Sequence, residues 1–424
     1  MGMTISEKIL ARAAGLNQVK PGENVTASID LAMAHEAMRG VWPVLKEAGV
    51  SRVWDPDRVV NIFDHYVPAP TVDAAEHHKK IREVLRELGF KHILGENAGV
   101  CHQVLPERGF IKPGILVVGT DSHTTTYGAF GAASTGIGMT EMAYVMATGK
   151  LWFRVPETIL ILLTGTMGPG VTSKDLLLHI AGRHGSDMAQ YRAIEFSGPL
   201  AGQLSVAQRM TMSNMSVELG AKFGIFAPDD GSMEYLKGRV KGGMEPVVAD
   251  HDAEYTSRVE LDATGLEPAV AFPHRVDNVY PISQIGEISI HQGVLASCTN
   301  ARLEDLHMAA RVLRGRKIHR DVRLHVVPAS WEIYGKALED GTLATLVDSG
   351  AIVGAASCGP CLGLHGGLLA SGERCISSTN RNFQGRMGSP DSEVYLASPA
   401  TVAASCIEGR IADPRPYLEQ GEQP

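Results

Sequence analysis

The chain has 424 residues, 44% hydrophobic, 20% charged and only 6% aromatic, with 46 glycines. That is the composition of a globular protein with two or three α/β-sized domains, and it excludes disordered, collagen-like and disulfide-scaffold chains. A formal charge of −8 offers no basic footprint for nucleic acid, and no apolar run approaches the ~20 residues of a membrane span.

The opening MGMTISEKILARAAG lacks a basic stretch followed by an apolar one, so no secretory leader is expected and the cytoplasm is the expected location. Residues 73–89 place Ile81, Val84, Leu85 and Leu88 on one stripe, which predicts an amphipathic helix. A short apolar strand is expected at 115–119, leading into the polar segment TDSHTTT at 120–126, with a helix from about 139 to 150. The run TILILL at 158–163 reads as a buried strand and 173–183 as a helix. Strands at 291–297, 323–328 and 351–356 then alternate with helices at 302–314 and 330–340. Strand-then-helix repetition predicts an α/β fold with largely parallel sheets. Charged, proline-containing stretches at 153–157 and 261–268 are the candidate seams, and the polar stretch 228–251 reads as an excursion.

Ligands in open α/β sheets gather beyond the carboxyl ends of strands. Asp121, Ser122 and His123 follow one expected strand, Cys298 a second, and Cys358 with Cys361 a third. The cysteine pattern is Ser-Cys-Thr-Asn at 297–300, then Ser-Cys-Gly-Pro-Cys at 357–361. One C-x-x-C clip suits a shared metal, a redox dithiol or two packed thiols, whereas structural zinc usually takes two clips. The residues alone therefore leave four readings open: a dithiol, zinc completed by histidine, buried thiols, or an iron–sulfur cluster on three cysteines. Cys101, Cys375 and Cys406 fit no ligand motif and are expected as packed thiols.

The motif segments in chain order are DHYVPAPT (64–71), HQ (102–103), GTDSHTTTYGAFG (119–131), GIGMTEM (136–142), SNMSVELGAKFG (213–224), SCTNARLEDL (297–306), SCGPCLG (357–363) and STNRNFQGRMG (378–388). In this order they resemble the aconitase superfamily over nearly the whole chain, and most closely the isopropylmalate dehydratase large subunits within it. The resemblance implies three α/β domains of aconitase type, at 1–156, 157–262 and 263–424, without the swivelling fourth domain of single-chain aconitases. It implies a [4Fe-4S] cluster on Cys298, Cys358 and Cys361, with one iron lacking a protein ligand. It also implies a hydro-lyase that isomerises 2- and 3-isopropylmalate in leucine biosynthesis, with homoaconitate, 2,3-dimethylmalate and citraconate or maleate as alternative substrates. The GLHGGLL sequence at 363–369 departs from the common pattern and bears on substrate choice.

Dehydration needs a Lewis acid, an acid for the departing hydroxyl and a base for the adjacent carbon. The resemblance pairs Asp64 with His65, His102 with Asp121, and His123 with Glu218, each carboxylate orienting its ring and favouring the protonated form. It makes His65 the expected hydroxyl acid. Asn214 and Glu218, four apart, would share one helical face near the cluster. Ser122, Asn214, Arg381 and Arg386 are the expected substrate-binding residues, the arginines as forks for carboxylates. His35 stands near a substrate-facing position of the family but differs in type. The carbon base is expected from a separate small subunit carrying a serine.

Overall fold

Short apolar runs, each ended by a polar or glycine-containing turn, build three main sheets in the computed structural model, which describes residues 2–419. The chain forms two compact units. The first comprises the chain to Asp64, Ala69–Thr164 and Ala189–Leu261; the second comprises His65–Pro68, Gly165–Met188 and the chain from Asp262 onward.

In the first unit a five-stranded sheet runs in the order His92–Leu94, Val59–Ile62, Leu31–Ala34, Leu116–Gly119, Ala133–Gly136, every pair parallel. Four of these strands are short enough that their sequence shows no alternation, as expected of strands covered on both faces. The helix Val72–Glu87 starts where the Thr71 side chain accepts from the Ala74 N–H, and it buries Ala74, His78, Ile81, Val84 and Leu85. A second sheet orders Phe223–Phe226, Ala193–Ser197, Thr158–Thr164 and Ser257–Asp262, the first three parallel. The stretch 153–157 overlaps the strand Lys150–Arg154, which pairs antiparallel with Asn24–Ser28.

The second unit holds a seven-stranded sheet. Its order is Val279–Pro281, Ala269–Ala271, Glu393–Leu396, Arg374–Ser377, Gln292–Leu295, Arg323–Val326 and Ile352–Val353. The last five strands are parallel, and the two at the other edge are antiparallel. The helices Leu303–Leu313 and Pro399–Glu408 pack on it through Leu306, Ala310, Leu313, Val402 and Ala403, all at most 3% exposed.

Most expected elements form with ends shifted by one or two residues, but two readings need correction. The strand expected at 351–356 contracts to Ile352–Val353; Gly354 still donates to the Val326 carbonyl, and the chain then turns toward Cys358. The helix expected to carry both Asn214 and Glu218 ends at Met215, and Glu218 lies in a separate 3-10 turn, Ser216–Leu219. Gly220, at φ 80°, closes that turn.

The five-, four- and seven-stranded sheets lie within 1–156, 157–262 and 263–424 respectively. Residues 420–424, the end of the last of these ranges, lie outside the described residues. Among the described residues no helix is long and apolar enough to cross a membrane.

Candidate functional site

Two of the imidazole–carboxylate contacts in the first unit, His102–Asp121 and His123–Glu218, are built on the turn that follows the strand Leu116–Gly119. At Gly119 an added Cβ would lie 2.2 Å from Thr124 Oγ1, so the absent side chain lets the following 3-10 segment, Ser122–Phe130, fold back on the strand end. Asp121 caps that segment, its Oδ1 accepting from the His123 N–H at 2.7 Å. The same oxygen lies 3.0 Å from His102 Nε2. His102 Nδ1 lies 3.2 Å from the Tyr127 hydroxyl, so both ring nitrogens of His102 are held. His123 Nε2 lies 2.7 Å from Glu218 Oε1, with Ser122 Oγ 3.4 Å from its other nitrogen.

These groups are deeply placed: His102 is 1% exposed, His123 3% and Glu218 6%. Burial pushes the His102 pKa down, outweighing the opposing pull of Asp121. Asp121 favours the protonated ring, as expected, but removing an imidazolium from water costs more here than Asp121 returns, so the net shift is downward.

Asn214 is buried on the helix Val206–Met215, where its amide nitrogen donates to Thr126 Oγ1 at 2.8 Å. Asp64, fully buried after the strand Val59–Ile62, accepts from the Cys101 N–H at 2.8 Å. Cys101 thus contributes its backbone, and its thiol is packed away. The Asp64 N–H donates to Glu36 Oε1 at 3.1 Å, and His35 Nδ1 is 3.6 Å from Glu36 Oε2.

The second unit gathers the cysteines. Cys298 follows the strand Gln292–Leu295 in a tight turn with Ser297 at φ 80° and Ala301 at φ 121°, both uncommon for residues with a side chain. Arg302, 3% exposed, braces that turn by donating to the carbonyls of Thr299 (2.5 Å) and Cys298 (2.6 Å). Cys358 caps the 3-10 turn Gly359–Leu362, and Cys361 lies within it. All three thiols are buried, with exposures of 6%, 6% and 2% for Cys298, Cys358 and Cys361. Asn380 Nδ2 donates to Cys298 Sγ at 3.3 Å while its Oδ1 lies 3.3 Å from Cys361 Sγ, so one amide spans two cysteines. Arg386 Nη2 points at Cys361 Sγ from 4.0 Å, and Arg381 lies over the Phe383 ring at 5.7 Å.

The segment carrying these residues is anchored by Lys174, fully buried, whose ammonium donates to the carbonyls of Ser378 (3.0 Å) and Thr379 (2.5 Å). His65 belongs to this unit and is 6% exposed. Cys375 and Cys406 are fully buried, and burial raises both thiol pKa values, the signature of inert packed thiols.

The sequence reading did not single out Glu36, Tyr127, Arg302, Asn380 or Lys174. Asn380, Tyr127 and Arg302 stand inside quoted motifs, which is the one signal that could have found them. Three buried thiols, with one amide spanning Cys298 and Cys361 and a guanidinium directed at Cys361, form a soft donor set that suits an iron–sulfur cluster.

The aconitase family, described as aconitate hydratase, matches residues 7–287 and 283–409. The chain belongs to the aconitase family, and its α/β fold of parallel-rich sheets is of that type. It is 52% identical over 419 residues to the 3-isopropylmalate dehydratase large subunit 1 of Methanopyrus kandleri, covering 99% of this chain and 100% of that one. It is 51% identical over 422 residues to the 3-isopropylmalate dehydratase large subunit 1 of Pyrococcus furiosus, again covering 99% and 100%. It is also 51% identical over 424 residues to the probable methanogen homoaconitase large subunit of Methanothermobacter thermautotrophicus, covering 99% of each.

Proposed function

We propose that this chain is the large, catalytic subunit of a cytoplasmic hydro-lyase that interconverts 2- and 3-isopropylmalate by dehydration and rehydration in leucine biosynthesis. The observation that carries the reading is about half identity, end to end, to several proteins named 3-isopropylmalate dehydratase large subunit. A second substrate, homoaconitate, is favoured by the relative named for it, which is only one percentage point less identical than the first. The proposed organisation is three aconitase-type domains at 1–156, 157–262 and 263–424, working with a small subunit.

Cys298, Cys358 and Cys361 would hold a [4Fe-4S] cluster. When bound, such a cluster with one open iron supplies a Lewis acid toward the substrate hydroxyl. The protein's own residues divide the remaining work. Asp121 and Tyr127 hold the His102 ring from both nitrogens and fix its tautomer. Glu218 orients His123 in the same way. Asp64 is locked by the Cys101 N–H, and His65 is proposed to protonate the departing hydroxyl. Arg381 and Arg386 supply planar forks for the substrate carboxylates, with Ser122 and Asn214 as further polar contacts. The base that takes the carbon proton is assigned to the small subunit.

The test is turnover of the anaerobically reconstituted large–small pair with 2-isopropylmalate and with homoaconitate. A kcat/KM at least tenfold higher for 2-isopropylmalate is expected. The reverse order would give the reaction to homoaconitate, and no turnover of either would refute both of these substrates.

A further inference from the structure

A cleft of about 870 Å³ opens in the first unit beside the five-stranded sheet, at a place the acid–base residues do not use. It runs along the edge strand His92–Leu94 and under the first residues of three others, marked by Leu31, Arg58 and Ile115. Asp64 and Asp121 instead follow the far ends of the strands Val59–Ile62 and Leu116–Gly119. Four residues of strand separate the two ends, about 13 Å at ~3.3 Å per residue.

The cleft is basic on an acidic protein. Arg58, Arg108, Lys112, Arg239 and Lys241 line it against only Asp30 and Asp57. Both acids are already engaged: Asp30 with Arg12 at 2.9 Å and the Leu116 N–H at 2.8 Å, Asp57 with Lys91 at 2.6 Å. Arg58 lies 3.4 Å from Asp55. Arg108, Lys112 and Lys241 form no ion pair among the described residues, so three cations face the cleft uncompensated.

Two of the lining cations come from the irregular chain after the helix Asp230–Leu236, a segment the proposed reaction leaves without a task. That segment is seated, not loose. At Gly109, φ 74°, an added Cβ would fall 1.9 Å from the Arg239 carbonyl oxygen, a backbone approach that only glycine permits. Arg239 Nη1 donates to the Glu107 carbonyl at 3.0 Å, and its guanidinium lies over the Tyr235 ring at 5.0 Å. Further on, Asp250 accepts from the Met3 N–H at 2.8 Å and pairs with Lys8 at 2.6 Å. Fixing both ends of the segment holds the backbone of Arg239 and Lys241 beside the cleft and lowers the ordering cost of binding. One wall is apolar, with Leu94 and Phe110, whose ring meets His92 edge-on at 5.0 Å.

We infer that this cleft is a second ligand site, for a nucleoside di- or triphosphate. Three uncompensated cations match a phosphate chain better than one carboxylate or phosphate. The volume lies within the usual range for small-molecule pockets, and it leaves room beyond the phosphates for a flat ring against Phe110.

The test is calorimetric titration of the full chain with ATP, ADP and inorganic pyrophosphate at low and raised salt. Hydrogen-exchange mapping of the bound state accompanies it. ATP or ADP should bind with an affinity that falls as salt rises, protecting residues 107–115 and 237–245. The K112E/K241E double variant should weaken binding at least tenfold with an unchanged melting midpoint. Pyrophosphate binding as tightly as ATP would assign the site to a free polyphosphate and overturn the nucleoside. No binding by any of the three, or protection confined to 378–388, would overturn the site itself, and the mapping on unaltered protein decides this even if the variant misfolds.

Discussion

His102 shows how one side chain is set by competing terms. Asp121 and Tyr127 hold its nitrogens, yet burial pushes its pKa down. Because the folded pKa is lowered from the ~6.5 of a free imidazole, the unfolded chain binds this proton first as the solution is acidified. The contribution is intact above about pH 6.5 and is lost as pH falls toward the depressed value. A His102→Asn variant should therefore show a shallower loss of melting temperature between about pH 6.5 and 5 than the parent, and an identical slope would contradict the assignment. Asp121→Asn should lower kcat by about 100-fold or more, the usual scale for a misoriented acid–base group, with the circular dichroism spectrum unchanged. Asn380 spans Cys298 and Cys361, so Asn380→Ala should shed iron in air about tenfold faster than the parent, read by iron content over time. Retention equal to the parent would leave Asn380 no part in holding the cysteines.

Among the elements, the N-terminal helix Ile5–Ala14 carries a pH dependence of opposite sign. Its first N–H, on Ile5, donates to Glu195 Oε1 at 2.7 Å, and the Tyr255 hydroxyl donates to Oε2 at 2.9 Å. Burial of Glu195 inside the strand Ala193–Ser197 raises its pKa to about 7. A raised folded pKa means stability present below the unfolded value of about 4.5 and lost as pH rises through 7. Glu195→Gln keeps the acceptor for Ile5 and removes the titration. It should flatten the decline between pH 5 and 8, a difference on the order of 2–3 kcal/mol by thermal or denaturant unfolding.

Elements were the legible part of this chain, because long periodic stretches such as 73–89 need only their own residues to be read. The turn Gly119–Thr124 was legible as a polar segment, but its shape depends on a glycine making room for Thr124. The two imidazole–carboxylate contacts join residues 19 and 95 positions apart, and nothing in their spacing reveals them; the motif resemblance proposed the pairs. Glu36, Arg302 and Lys174 escaped notice because each acts through backbone groups that only the folded chain brings near. Asp121 favours the charged His102 ring as expected, but burial, a property of the fold that spacing does not reveal, outweighs it.

At the scale of the whole molecule, the His102–Asp121 and His123–Glu218 contacts belong to one unit, and His65, Cys298, Cys358, Cys361 and both arginines to the other. The carbon base is proposed to lie on a small subunit, a reading supported by relatives named as large subunits that this chain matches from end to end. A reaction divided between two chains is read most directly by titrating one with the other. Anaerobically reconstituted large subunit is titrated with the cognate small subunit, and formation of the unsaturated product from 2-isopropylmalate is followed by ultraviolet absorbance. Negligible turnover by the large subunit alone, rising to a plateau as the small subunit is added, is the predicted result. Full activity of the large subunit alone would contradict the account.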